Sequence, residues 1–170
     1  MQWPRYLIGG LIILILQLIA CEFANFWPPL YIAVIPLFII LLPNNTNTYL
    51  LMLCGFVIGL LTDALADGVL GLNAAACVMV AATKSIVIKP LVKYDAQSTS
   101  IAVSSREFSW RKFLPLLTIC YTLFFAIYLT LDGLGSHSIS FFFVRLALNL
   151  SVNVALAYLL ESLWIGRYFS

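Results

Sequence analysis

The sequence predicts an all-α integral membrane protein: a compact bundle of six transmembrane helices, or five with a re-entrant segment. Three observations predict it. Of 170 residues, 63% are hydrophobic and only 9% charged, with a mean hydropathy of +1.04; an ordinary soluble domain is about 45–50% apolar and about 25% charged. Apolar runs long enough to cross a bilayer alternate with prolines, asparagines and charges. Six of the nine basic residues fall between Lys84 and Lys112. A net charge of +2 with no basic stripe excludes a nucleic-acid binder. The chain reads as a single membrane domain over 1–170 with a cytoplasmic loop around 90–112.

A helix needs about 20 apolar residues to cross about 30 Å of hydrocarbon. Tyr6 to Phe23 is the first candidate. It reads as a retained span, since Ala20-Cys21-Glu22 lacks the paired small residues of a signal-peptide cleavage site. Its one polar member, Gln17, can face another helix. Trp27-Pro28-Pro29 ends it. Leu30 to Leu42 is apolar but short, and Pro36 interrupts it. Thirteen helical residues rise only about 20 Å, so this stretch is a thin crossing, a kinked helix or a re-entrant pair. Crossing is preferred, because a re-entrant segment needs surrounding protein to satisfy its backbone. Leu50–Leu65 and Val69–Ile88 make two helices joined by a tight turn at Asp67-Gly68. Phe113–Leu131 and Phe141–Leu160 complete the six.

The basic residues set the orientation. Lys84, Lys89, Lys93, Arg106, Arg111 and Lys112 face only Asp95 and Glu107 in their segment, and short loops rich in Lys and Arg stay cytoplasmic. Arg5 and Arg167 fall on the same side of a six-span chain, so both termini are expected in the cytoplasm.

The polar residues inside the apolar runs are the candidate functional residues. A carboxylate at mid-helix costs about 2.5–3.5 kcal/mol on insertion scales. Asp63 is therefore either a packing or substrate contact, or lies close enough to the outer boundary to reach headgroups. Asp67, one turn on, shares its face and could form an acidic lip with it. Gly55 and Gly59 make a G-x-x-x-G step that lets another helix approach. Gly68 and Gly71 bracket a turn, and Ala74 opens an alanine-rich helix. Arg145, Asn149 and Asn153 recur every four residues and share one face of the last helix. Arg145 either snorkels to the interface or pairs with Asp63 or Asp67, while the two asparagines are expected to bond across helices.

No catalytic, metal or cofactor constellation is read. His137 is the only histidine and reads as a solvated loop residue. Cys21, Cys54, Cys77 and Cys120 stand singly without C-x-x-C spacing and read as small buried hydrophobes. No H-E-x-x-H, G-x-S-x-G or P-loop motif occurs.

The stretch from Gly55 to Ala74 resembles the hallmark segment of the rod shape-determining MreD family. Gly55, Phe56, Gly59 and Asp63 stand in the pattern G-F-x-x-G-x-x-x-D. A turn and L-G-x-x-A follow at Leu70, Gly71 and Ala74. The resemblance implies a non-enzymatic subunit of the bacterial cell-elongation complex in the cytoplasmic membrane. It would maintain cell shape and lateral peptidoglycan synthesis by binding the single-span protein MreC. Through MreC it would join MreB and a peptidoglycan polymerase–transpeptidase pair. The family is also similar in fold to the substrate-binding subunits of energy-coupling-factor transporters, which supplies the rival expectation of a vitamin-binding subunit.

Overall fold

A computed structural model describes residues 3–24, 29–43, 46–92, 110–133 and 139–162. Among these the chain forms six α-helices: α1 (Trp3–Ala24), α2 (Ile35–Leu41), α3 (Thr48–Thr62), α4 (Leu72–Val92), α5 (Trp110–Asp132) and α6 (Ile139–Leu160). The all-helical bundle is thus present. Three apolar segments, Thr48–Ala66, Phe113–Asp132 and Ile139–Leu160, are long and apolar enough to cross a membrane. The apolar stretches in α1 and α4, Ile8–Glu22 and Leu72–Lys84, are shorter. Most of the basic loop around 90–112, His137 and the side chain of Asp67 lie outside the described residues.

α3 starts where Asn47 accepts a hydrogen bond from the Tyr49 N–H at 3.1 Å, occupying one of the donors a helix start leaves unpaired. It ends in a π turn, Asp63–Asp67, closed by Gly68, whose N–H reaches back to the Asp63 carbonyl at 2.9 Å. The turn into α4 therefore occupies residues 68–71, slightly later than the spacing predicts. Gly68 and Gly71 take φ of +69° and +105°, a region that disfavours any residue with a Cβ.

The second element is a correction to the six transmembrane helices expected. Residues 30–34 are not helical, and only Ile35–Leu41 is. Every residue of α2 is buried, so it is the centre of the bundle and not one of its outer helices. Pro36 is accommodated in the first turn of α2, where a missing N–H costs nothing. Extension also solves the length problem. Four extended residues, 30–33, at about 3.3 Å and eight with helical backbone, Val34 at φ −91° and ψ −25° included, at about 1.5 Å reach about 25 Å, against about 18 Å if all twelve were helical.

The segment runs antiparallel to α1. Gln17 meets Ile32 and Val34, and Gly10 lies against Phe38. Behind it, α5 contributes the buried aromatics Phe113, Tyr121, Phe124 and Phe125, and Tyr128 stacks on Tyr31 with centroids 4.4 Å apart. In a bilayer, apolar burial against protein gains little over burial against lipid. Close packing and polar pairs therefore hold such a bundle together.

Candidate functional site

The predicted glycine–aspartate segment folds into one interlocked unit. A Cβ at Gly59 would stand 2.6 Å from Ala74 Cα and 2.7 Å from its nitrogen. Backbone meets backbone there, and only glycine allows it. At Gly55 the same atom would lie 3.2 Å from the Cys77 carbonyl oxygen. The G-x-x-x-G face is thus the α3–α4 contact, and Ala74 is the small residue on its far side.

This approach brings Asp63 beneath the start of α4. Oδ2 accepts from the N–H groups of Gly71 at 2.8 Å and Ala74 at 3.2 Å. Oδ1 accepts from the Asn73 main chain at 2.9 Å and its side-chain amide at 3.0 Å. Gly71 has no side chain with which to cap α4, so a carboxylate from the preceding helix does so. A negative charge at a helix N-terminus is favourable. Two donors on each oxygen match a carboxylate's capacity of about four acceptor sites. Asp63 is fully buried, which excludes the headgroup reading and removes it from any acidic lip with Asp67. It also does not pair with Arg145. Arg145 Nη1 instead donates to Asp132 at 2.6 Å, and its Nε to the Pro29 carbonyl at 3.4 Å.

The second unit is built on the extended segment. Asn149 Oδ1 accepts from the Tyr31 N–H at 2.6 Å while its Nδ2 donates to the Pro29 carbonyl at 2.9 Å. Asn153 repeats the arrangement one step on, with Ala33 N–H at 2.7 Å and the Tyr31 carbonyl at 2.7 Å. The register follows from geometry. Four residues of helix rise about 6 Å, and two residues of extended chain advance about 6.6 Å. The two side-chain amides thus act as the neighbouring strand that the segment lacks. Gln17 completes the other edge, accepting from Val34 N–H at 2.5 Å and donating to the Ile32 carbonyl at 2.8 Å. Tyr121 donates to the Ala33 carbonyl at 2.9 Å.

The far end is closed by Lys84, which is buried and donates to the carbonyls of Ile39 at 2.9 Å and Leu42 at 2.5 Å. A cation at the C-terminus of α2 is favourable for the same dipolar reason that Asp63 is at the start of α4. Lys84 was expected among the basic residues of the cytoplasmic loop. It belongs instead to the core. The signal that could have found it is its place: it is the one charged residue of the apolar stretch Leu72–Lys84.

The structure therefore brings together Gly55, Gly59, Asp63, Gly71 and Ala74, and separately Asn149 and Asn153. Tyr31 joins the two groups, its hydroxyl donating to Asn73 Oδ1 at 3.1 Å. Phe56 and Gly68 point outward, Phe56 with 45% exposure. Lys84, Tyr31, Asn73 and Tyr121 are the residues that sequence reasoning missed. An open groove of about 400 Å³ lies between α5 and α6, lined by Leu114, Thr118, Leu150, Ser151, Val154 and Tyr158, among others. Among the described residues no group of three His, Cys, Asp or Glu could hold a metal ion. Comparison with protein-family models, curated proteins and solved structures finds no match.

Proposed function

We propose that this chain is a non-enzymatic scaffold subunit of the MreD type, acting in the bacterial cell-elongation complex by binding MreC. One observation carries the reading. The residues of the resemblance divide by direction. Gly55, Gly59, Asp63 and Ala74 face inward at the α3–α4 contact, and Gly71 supplies an N–H to Asp63. Phe56 on α3 and Leu70 in the turn, 45% and 68% exposed, leave an apolar surface beside that contact. A scaffold needs such a surface, whereas a vitamin binder needs an enclosed pocket with convergent polar groups. Gln17, Asp63, Lys84, Asn149 and Asn153, which converge in this bundle, are each engaged by its own backbone.

On this reading the protein crosses the bacterial inner membrane six times, with Leu30–Leu42 as a half-extended crossing and both termini cytoplasmic. MreB and a peptidoglycan polymerase–transpeptidase pair belong to the wider complex. No cofactor is involved.

Photo-crosslinkers at Phe56 and Leu70 test the reading in cells, with Leu159, exposed on α6, as the control site. Capture of MreC from the first two and not from the third is expected. Submicromolar binding of riboflavin or thiamine by the purified protein, without MreC capture, replaces the scaffold by a vitamin-binding transport subunit.

A further inference from the structure

We propose that the segment from Pro29 to Leu42 is a strap that closes into the bundle last, after α6 has been inserted. This inference is independent of the scaffold reading. It begins with where the strap finds its hydrogen-bond partners. The Pro29 carbonyl, the Tyr31 N–H and carbonyl, and the Ala33 N–H are all bonded by Asn149 or Asn153. These partners lie 118 to 122 residues further along the chain. The Ala33 carbonyl waits for Tyr121, 88 residues on. Among the described side chains that bond the backbone of the extended part, Gln17 alone precedes it; Cys21 adds a weak bond to the Tyr31 hydroxyl at 3.9 Å.

Before those partners arrive the strap has no stable place at membrane depth. Extended backbone there survives only when protein satisfies its polar groups. As a helix, Leu30–Leu42 is too short to cross, and its proline falls mid-segment. α2 does not anchor it either, because the carbonyls at its C-terminus are capped by Lys84 of α4.

The receiving face on α6 is prepared in advance. Asn149 Nδ2 also donates to the Arg145 carbonyl at 2.7 Å, and Asn153 Nδ2 to the Asn149 carbonyl at 2.9 Å. One hydrogen of each amide is held by its own helix, which orients the other hydrogen and the carbonyl oxygen toward the strap. The α3–α4 pair needs nothing from α6: its contacts are Gly55, Gly59, Asp63 and the start of α4. The order that follows is α3–α4 first, α5 and α6 next, strap last.

The test uses the full-length chain in membranes, with Cys21, Cys54 and Cys120 replaced by serine. Val34→Cys, at a buried strap position, reports closure, and the native Cys77, a buried residue of α4 whose backbone carbonyl lies against Gly55, reports the α3–α4 pair. A membrane-impermeant maleimide is applied from the outer side during a pulse–chase. The thiol introduced at position 34 is expected to react at early times and become protected later, with Cys77 protected throughout. In Asn149→Leu/Asn153→Leu, four lost hydrogen bonds should raise steady-state labelling at position 34 on the order of a hundredfold, with Cys77 still protected. Asn153→Leu alone should fall between. Protection of position 34 from the earliest time point and in the double variant overturns the proposal. So does simultaneous exposure of both thiols, which makes the strap part of one cooperative unit.

Discussion

Tyr31 donates its phenolic hydrogen to Asn73 Oδ1 at 3.1 Å, and through this one bond the two polar units of the bundle become continuous. On one side Asn73 is fastened twice to Asp63. On the other, Tyr31 is fastened through its backbone to Asn149 and Asn153. The chain therefore runs a connected polar path from the α3–α4 turn to α6 through a strap that belongs to neither. Such networks are worth more than their separate members when every member is satisfied.

Tyr31→Phe keeps the ring stacked on Tyr128 and removes only the hydroxyl. A loss of about 1–3 kcal/mol is expected, because Asn73 Oδ1 then stands buried without this donor. Thermal unfolding in detergent measures it. A double-mutant cycle with Asn149→Leu should show coupling of about 0.5–3 kcal/mol, and strict additivity would separate the two units.

Gly59→Ala places a Cβ 2.6 Å from Ala74 Cα, so α3 and α4 must separate. Overpacking of this kind costs about 1–3 kcal/mol or more. At Gly68 an added Cβ meets nothing within 4 Å, and only the φ of +69° resists it, a cost of about 1–2 kcal/mol. The folded yield of Gly59→Ala should be the lower of the two. The reverse order would mean that the helices do not approach as closely as described.

Asp63→Asn keeps one acceptor oxygen but turns an NH2 group toward two N–H donors. It should lower stability by about 1–3 kcal/mol, and Asp63→Leu by more, since all four donors are then stranded. Combining Asp63→Asn with Arg145→Gln should be additive within about 0.5 kcal/mol, because Arg145 pairs with Asp132 and shares no partner with Asp63. Coupling between positions 63 and 145 would contradict that geometry.

Lys84→Met uncaps the carbonyls of Ile39 and Leu42 and should destabilise by about 1–3 kcal/mol. It should leave the orientation of the chain unchanged, as the loop beyond it keeps five basic residues of its own. Cysteines at Ser100 and Ser136 in a background lacking the native four should label from opposite sides, in the parent and in Lys84→Met alike. Labelling from one side would overturn the six-crossing topology.

The apolar composition and the polar breaks were enough to determine a helical membrane protein, the positions of its long helices and the close approach at Gly55 and Gly59. These features are local, or depend on a glycine whose only use at mid-helix is to admit a neighbour. The pairing of Asn149 and Asn153 with another element was legible for a similar reason: unpaired amides are costly in hydrocarbon. Which element they met was not legible. A strand that borrows its partners from three helices leaves no alternation of its own, and residues 30–34 read as part of an apolar run. Tertiary structure alone decided that Asp63 caps α4 and does not seek Arg145, that Lys84 belongs to the core, and that the stretch before α2 is not helical. Each is settled by which unsatisfied backbone groups come within about 3 Å of a charged or amide side chain. That distance is set by how separate helices pack, and one-dimensional spacing does not contain it.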